Sequence, residues 1–166
     1  GSDTTKNLIR MFFLREKLKS IGKVKKDSHN NKLNHIHVIG AGTMGADIAI
    51  WCVINNFNVT LQDTSESQMG KAILNANKSI KRKIKNKSLA QKTIDRLIPD
   101  ISGDGIRCAD VIIEAIIENL EAKQTLFKQI ESIAKPTAIL ATNTSSIRIE
   151  EIASELSSPE RLIGIH

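Results

Sequence analysis

The six residues Gly40-Ala41-Gly42-Thr43-Met44-Gly45 constrain this chain more than any other stretch. They follow a short apolar run, 35–39, and open a segment, 41–55, with the apolar spacing of a helix. A second apolar run, 58–62, follows and ends against Asp63. Each glycine has its own task in such a strand–turn–helix. Gly40 permits the sharp turn. Gly42 has no Cβ to keep a phosphate from the backbone. Gly45 lets the helix pack closely on the strand. The helix start then offers unpaired N–H groups and a partial positive charge to an anion.

The rest of the chain continues the alternation. Helical patterning covers 65 to about 86, 88–97, 119–135 and 149–156, and strands are predicted at 110–117, 138–141 and 161–166. The run Asp110-Val111-Ile112-Ile113-Glu114-Ala115-Ile116-Ile117 has almost no polar alternation, as expected of a strand covered on both faces. Strands alternating with helices imply right-handed βαβ units. The expected architecture is therefore an α/β, Rossmann-like, doubly wound and mostly parallel sheet spanning 33–166. In that context Asp63, 18 residues after Gly45, accepts hydrogen bonds from a ribose and repels a 2′-phosphate. No arginine follows closely, so the pattern predicts NAD over NADP. Met44 has two readings open: along the dinucleotide, or in the core.

Composition narrows the classes. The chain has 166 residues and a net charge of +6. Residues 1–32 carry nine Lys/Arg and three Asp/Glu, so they hold the whole excess, and the remaining bases and acids balance. Within this arm, 6–19 reads as an amphipathic helix with Leu8, Ile9, Phe12, Phe13 and Leu18 as its apolar stripe, and 22–34 as a basic linker. The arm lacks a base-stacking pattern and the chain has no Tyr, so nucleic acid is not the expected partner. No apolar run is long enough to span a membrane. Cys52 and Cys108 form no CxxC motif, which excludes a disulfide scaffold or zinc knuckle and suits a reducing compartment.

Several separate blocks occur in order: GAGTMG at 40–45, Leu61-Gln62-Asp63, Glu114-Ala115-Ile116-Ile117-Glu118-Asn119-Leu120, Asn143-Thr144-Ser145-Ser146, and Gly164-Ile165-His166. Together they resemble the NAD-binding domain of L-3-hydroxyacyl-CoA dehydrogenases, over roughly 33–166. The arm is similar to the segment that joins an enoyl-CoA hydratase domain to this domain in multifunctional fatty-acid oxidation α-subunits.

The resemblance implies oxidation of L-3-hydroxyacyl-CoA to 3-ketoacyl-CoA in β-oxidation. It places Gly40, Gly42, Thr43, Met44, Gly45, Asp63, Ile116, Ile117, Glu118, Lys123 and Ser145 around NAD. It makes His166 the base for the C3 hydroxyl proton and Ser145 the hydroxyl that steadies the substrate oxygen. Ser79 becomes a contact to CoA, within a stretch 78–92 that holds seven bases and no acid. Asn86 stands where the family's second CoA contact, a lysine, is expected. From the residues alone, several plainer readings stay open. The 78–92 bases read equally as a solvated helix face, Lys123 as a solvated helix residue, Asn143–Ser146 as a turn, Glu114 as a buried structural acid, and Ser146 as the alternative serine. His29, His35 and His37 match nothing in the family and read as structural or exposed.

The family's C-terminal helical domain and the residues that normally follow the His are not present. The chain is therefore expected to be an excised domain with little activity alone. The implied location is the bacterial cytoplasm or a eukaryotic organelle matrix. Alternatives left open are a dehydrogenase of a related hydroxy acid and a non-catalytic nucleotide-binding module.

Overall fold

Strands that are apolar on both faces must be covered on both faces, and helices here do the covering. The computed structural model describes residues 33–165. The expected arm, 1–32, and His166 lie outside the described residues. The elements run β1 (His35–Ile39), α1 (Thr43–Ile54), β2 (Asn58–Gln62), α2 (Glu66–Lys83), α3 (Lys87–Ile94), β3 (Leu97–Pro99), β4 (Val111–Glu114), α4 (Leu120–Ile133), β5 (Ile139–Thr142), α5 (Ile149–Ala153) and β6 (Leu162–Gly164). The sheet order is β3-β2-β1-β4-β5-β6, and every pair is parallel. This is the doubly wound Rossmann order, in which the chain reverses direction across the sheet between β1 and β4.

The side-chain alternation of each strand divides the core. Ile36, Val38, Val59, Leu61, Ile113 and Ala141 face a cluster built with α1, α2 and α3. Ile39, Ile112 and Leu140 face the opposite cluster, with Phe127 and Ile130 of α4 and Ile152 of α5. Burying each such side chain contributes roughly 1.5–3 kcal/mol. Cys52 is buried in α1, where desolvation pushes its thiol up to about 11, and Cys108 is exposed; both are free.

Capping sets the helix boundaries. Ser65 accepts from the Gln68 N–H (3.3 Å), Asn86 from Leu89 (3.0 Å) and Asn119 from Ala122 (2.9 Å), which satisfies donors a helix start leaves unpaired. The helix expected over 65 to about 86 ends earlier, at Lys83, because Ile84 takes extended backbone and Asn86 starts a new helix. β3 replaces the end of the helix expected over 88–97. It has three residues, too few to show a period, and its Pro99 is tolerated on an edge strand. The strand expected over 110–117 stops at Glu114, where the backbone turns toward α4.

Two polar clusters hold the rest. Asp110 accepts from the N–H groups of Asn34 (2.9 Å) and His35 (3.0 Å) and from Lys135 Nζ (2.9 Å), tying β1 to the end of α4. These bonds hold its carboxyl down to about 2. His37 is fully buried. Its ring bonds Thr60 Oγ1 at 2.7 Å and Gln62 Oε1 at 2.9 Å, and burial pushes its pKa down despite the opposing pull of Gln62 and Asp100.

Acid therefore destabilises the domain in two windows. The unfolded chain protonates His37 below its ordinary value of 6.5 while the buried ring resists. It protonates Asp110 below 3.8 while the folded carboxylate stays charged to about 2. Stability is present above these values and lost as pH falls through them. Urea midpoints measured against pH should drop first below about 6.5 and again below about 4. In Asp110→Asn the lower limb should flatten.

Candidate functional site

The turn between β1 and α1 lies against the end of β4. Gly40 has φ +103°, and a Cβ on it would come 2.5 Å from Ala115 O. A Cβ on Gly45 would lie 1.8 Å from Gly40 O. Both positions exclude any side chain for reasons internal to the fold. Gly42 differs. Its φ of −65° suits any residue, and a Cβ there would meet nothing within 4 Å. The space above Gly42 is a cradle that a side chain would fill, which is what close approach of a phosphate requires.

The helix that follows is prepared for an anion. α1, like the short α5, has no side-chain cap, whereas α2, α3 and α4 do. The first ladder bond of α1 is Ala46 N–H to Gly42 O, 2.9 Å, so the N–H groups of Thr43, Met44 and Gly45, its first turn, are left for a ligand. A cleft of about 220 Å³ lies beside this turn, lined by Gly42, Thr43, Gln68, Lys71 and Asn75. Lys71 and Gln68 were not foreseen. They come from one face of α2, and only the α1–α2 packing brings them here. Thr43 is exposed. Met44 is 56% exposed, which excludes its core reading.

Asp63 does more than the sequence predicted. Its Oδ2 accepts from the Ala41 N–H (2.7 Å) and its Oδ1 from the Ser65 N–H (2.8 Å). The carboxylate thus fixes the glycine turn to the end of β2. A carboxylate has about four acceptor positions, so capacity for ribose hydroxyls remains.

A second set of residues gathers at the ends of β4 and β5. Glu114 is 0% exposed and Lys123 1%. Lys123 Nζ donates to Glu114 Oε1 at 2.6 Å. The same oxygen accepts from the Ile116 N–H (2.7 Å), and Oε2 accepts from the Thr142 hydroxyl (2.6 Å). Lys123 Nζ is also 3.8 Å from Glu118 Oε2. Lys123 is therefore no solvated helix residue, and Glu114 is the buried, paired acid.

Glu118 is 41% exposed. It accepts from the Thr144 hydroxyl (2.8 Å) and the Ser145 N–H (3.1 Å). The Thr144 bond, then Ser145 and the Lys123 charge, hold its carboxyl below the usual range. The Asn143–Ser146 segment is a turn too, since Thr144 Oγ1 also accepts from the N–H groups of Ser146 (3.4 Å) and Ile147 (3.1 Å). Ser145 and Ser146 are exposed, and the Ser145 hydroxyl has no partner among the described residues. Ile116 is half-buried against the α4 cluster, while Ile117 is 75% exposed at the mouth.

The structure thus brings the glycine turn and Asp63 together at the ends of β1 and β2, and Glu118, Lys123 and Ser145 together at the ends of β4 and β5. Ser79 lies apart, half-buried on α2. Asn86 has a local task as the α3 cap.

Residues 35–166 match the family described as "3-hydroxyacyl-CoA dehydrogenase, NAD binding domain". The chain belongs to this family. Its cofactor is accordingly NAD, and the open cradle at Gly42 fits the cofactor's pyrophosphate. The domain is 38% identical to a 3-hydroxyadipyl-CoA dehydrogenase of Escherichia coli, over 79% of this chain and 28% of that protein. It is 33% identical to the glyoxysomal fatty acid beta-oxidation multifunctional protein MFP-a of Brassica napus, over 99% of this chain and 23% of that one. Among solved structures it resembles 3-hydroxybutyryl-CoA dehydrogenase from Escherichia coli, with a TM-score of 0.78 and 36% identity over 81% of this chain and 29% of that chain. This NAD-binding domain thus spans less than a third of these relatives. No helix among the described residues is long and apolar enough to cross a membrane, and no described cluster of His, Cys, Asp and Glu could hold a metal.

Lys123→Met leaves the Glu114 carboxylate buried without its partner and should cost about 3–5 kcal/mol in urea denaturation. The double variant Glu114→Leu/Lys123→Met removes both charges and should recover most of that loss.

Proposed function

We propose that this domain is the cofactor-binding part of an enzyme that oxidises L-3-hydroxyacyl-CoA to 3-ketoacyl-CoA with NAD in fatty-acid β-oxidation. The observation that carries the reading is Glu118, whose carboxylate holds Ser145 N–H and the Thr144 hydroxyl. It holds the Ser145 hydroxyl, unpartnered among the described residues, at the strand ends, where ligands of such sheets bind.

The N–H groups from Gly42 to Gly45 hold the pyrophosphate, with Gly40 shaping the turn and Thr43 and Met44 along the channel. Asp63 takes the adenosine ribose. Ile116, Ile117 and Glu118 line the nicotinamide side, and Lys123 acts there through Glu118. Bound NAD supplies the hydride acceptor for substrate C3. Ser145 Oγ donates a hydrogen bond to the C3 oxygen as charge develops on it. The imidazole of His166 takes the hydroxyl proton, a side chain suited in kind to proton transfer in both directions near neutral pH.

An acyl-CoA rather than a free hydroxy acid is favoured by the cations of α2 and α3. Lys78, Lys81, Arg82, Lys83, Lys85, Lys87 and Lys92 are all exposed, and Ser79 stands among them to contact CoA. The partners of this reading are an enoyl-CoA hydratase domain before the arm and a helical domain after His166, in a cytoplasmic or organelle-matrix enzyme. Alignment of 99% of the chain with a plant multifunctional protein, arm included, supports it.

Gly42→Ala should keep folding stability within about 1 kcal/mol, the cost of Ala at a helix start. It should weaken NADH binding by at least about tenfold, measured by fluorescence titration. Gly45→Ala, whose Cβ would strike backbone, should lose at least about 2 kcal/mol of stability as well. In the full-length enzyme, Ser145→Ala should lower kcat for acetoacetyl-CoA reduction by about 10²-fold or more, a larger factor than its loss of NADH affinity. Turnover of a free 3-hydroxy acid but not of its CoA thioester would move the assignment to a related dehydrogenase.

A further inference from the structure

One ammonium lies between two carboxylates at the ends of β4 and β5, and it is not shared equally. Lys123 Nζ is 2.6 Å from Glu114 and 3.8 Å from Glu118. Glu114 is sealed from water and accepts two further hydrogen bonds, from Ile116 N–H and Thr142. No other Lys or Arg among the described residues stands within ion-pair distance of Glu118. Three charged groups thus sum to one surplus negative charge, and Glu118, the exposed member, carries it. Thr144 and Ser145 keep that carboxylate ionised at neutral pH.

The position of this charge follows from the topology. Asp63 fixes the adenosine end at β2 and the α1 start fixes the pyrophosphate. The other half of a dinucleotide therefore crosses the switch point between β1 and β4 and ends over β4 and β5. The two redox forms of NAD differ there by one unit of charge: the oxidised ring is a cation and the reduced ring is neutral.

We propose that Glu114 is a charge-setting residue of the cofactor site. By taking up the Lys123 ammonium it leaves Glu118 as an uncompensated carboxylate, which favours oxidised over reduced nicotinamide. Glu114 touches neither cofactor nor substrate and acts through Lys123, as a positioning residue. The inference rests on the dinucleotide path proposed above.

Glu114→Gln tests it. The amide keeps the shape: its oxygen still accepts from Ile116 N–H, and its NH2 faces the Thr142 hydroxyl, which can turn to accept from it. Lys123 is released to pair with Glu118, so the cluster becomes neutral. Binding of NAD⁺ and of NADH to the protein is measured separately by calorimetry. The Kd ratio of NAD⁺ to NADH should rise by about three- to tenfold in Glu114→Gln, as expected for a unit charge several ångströms from the ring. NADH affinity should stay within about twofold, a split that general loosening of the site would not give. A second arm needs no variant. Raising salt from about 0.05 to 0.5 M screens the Glu118 charge. The wild-type ratio should then rise in the same direction, while the pyrophosphate contacts common to both forms cancel. An unchanged ratio in both arms, with both cofactors bound, overturns the charge-setting role and leaves the cofactor site standing. Failure of well-folded wild type to bind either form overturns the path itself, and the inference with it.

Discussion

The contact between the glycine turn and the end of β4 is the constraint on which the site depends. Gly40 and Gly45 have no space for a side chain, because each faces backbone: Ala115 O for one and Gly40 O for the other. Hydrogen bonds close the same junction. Gly40 N–H donates to Gln62 O at 2.8 Å, and Ala115 N–H to Ile39 O at 2.8 Å. The ends of β1, β2 and β4 are thereby joined at one place, directly beneath the start of α1. Shifting any of the three strands would move the α1 N–H groups relative to Asp63 and Glu118 together. The distance between the two halves of the site is thus a property of the sheet and not of its loops.

Around that junction the acids work as staples. Asp63 holds the turn through Ala41 and Ser65. Asp100 binds the N–H groups of Gly103 (2.9 Å), Asp104 (3.2 Å) and Gly105 (2.7 Å), fixing the segment after β3 under His37. Asp110 fixes the opposite end of β1, and Glu131 holds the N–H groups of Ser157 (2.8 Å) and Ser158 (2.7 Å) ahead of β6. Charge-assisted bonds to backbone N–H groups are stronger than neutral ones and define direction. Glu114 is the exception. It is buried with a lysine, an arrangement that adds little stability over apolar packing and is costly to break. Its presence at the cofactor end of the sheet therefore points to position and charge.

Much of this was legible beforehand, and the reason is local. β1 and β2 have the predicted bounds because Gly40 and Asp63 punctuate them within a few residues. The glycine turn and the Rossmann architecture follow from motifs that carry their geometry with them, whereas the grouping of Glu118 with Ser145 came from the family resemblance alone. What was not legible depends on tertiary placement. The resemblance sets Lys123 beside the cofactor and the strand pattern buries Glu114, but that the two pair with each other shows only when α4 is laid on β4. β3 is too short to have a pattern. His37 offers no motif, and its role appears only when Thr60 and Gln62 stand beside it on the neighbouring strand. The second task of Asp63 was hidden for the same reason, because Ala41 N–H is 22 residues away in sequence.

The two kinds of anion that the proposed reaction requires would be met by different physics. At the glycine turn, backbone N–H groups on a rigid helix start face the pyrophosphate at short range. Such donors have fixed direction, so they define the pose of the cofactor and respond weakly to salt. On α2, α3 and the turn between them the cations are exposed, and among the described residues none of Lys78, Lys81, Arg82, Lys83, Lys85, Lys87 or Lys92 forms an ion pair. Lys81, Lys85 and Lys87 border a hollow of about 480 Å³ between the two helices. Long side chains of this kind raise the local concentration of a polyanion and speed its arrival, without fixing its orientation. A bound NAD held in one pose and an acyl-CoA drawn in by diffuse charge suit a domain whose cofactor site is built into the sheet and whose substrate must come and go.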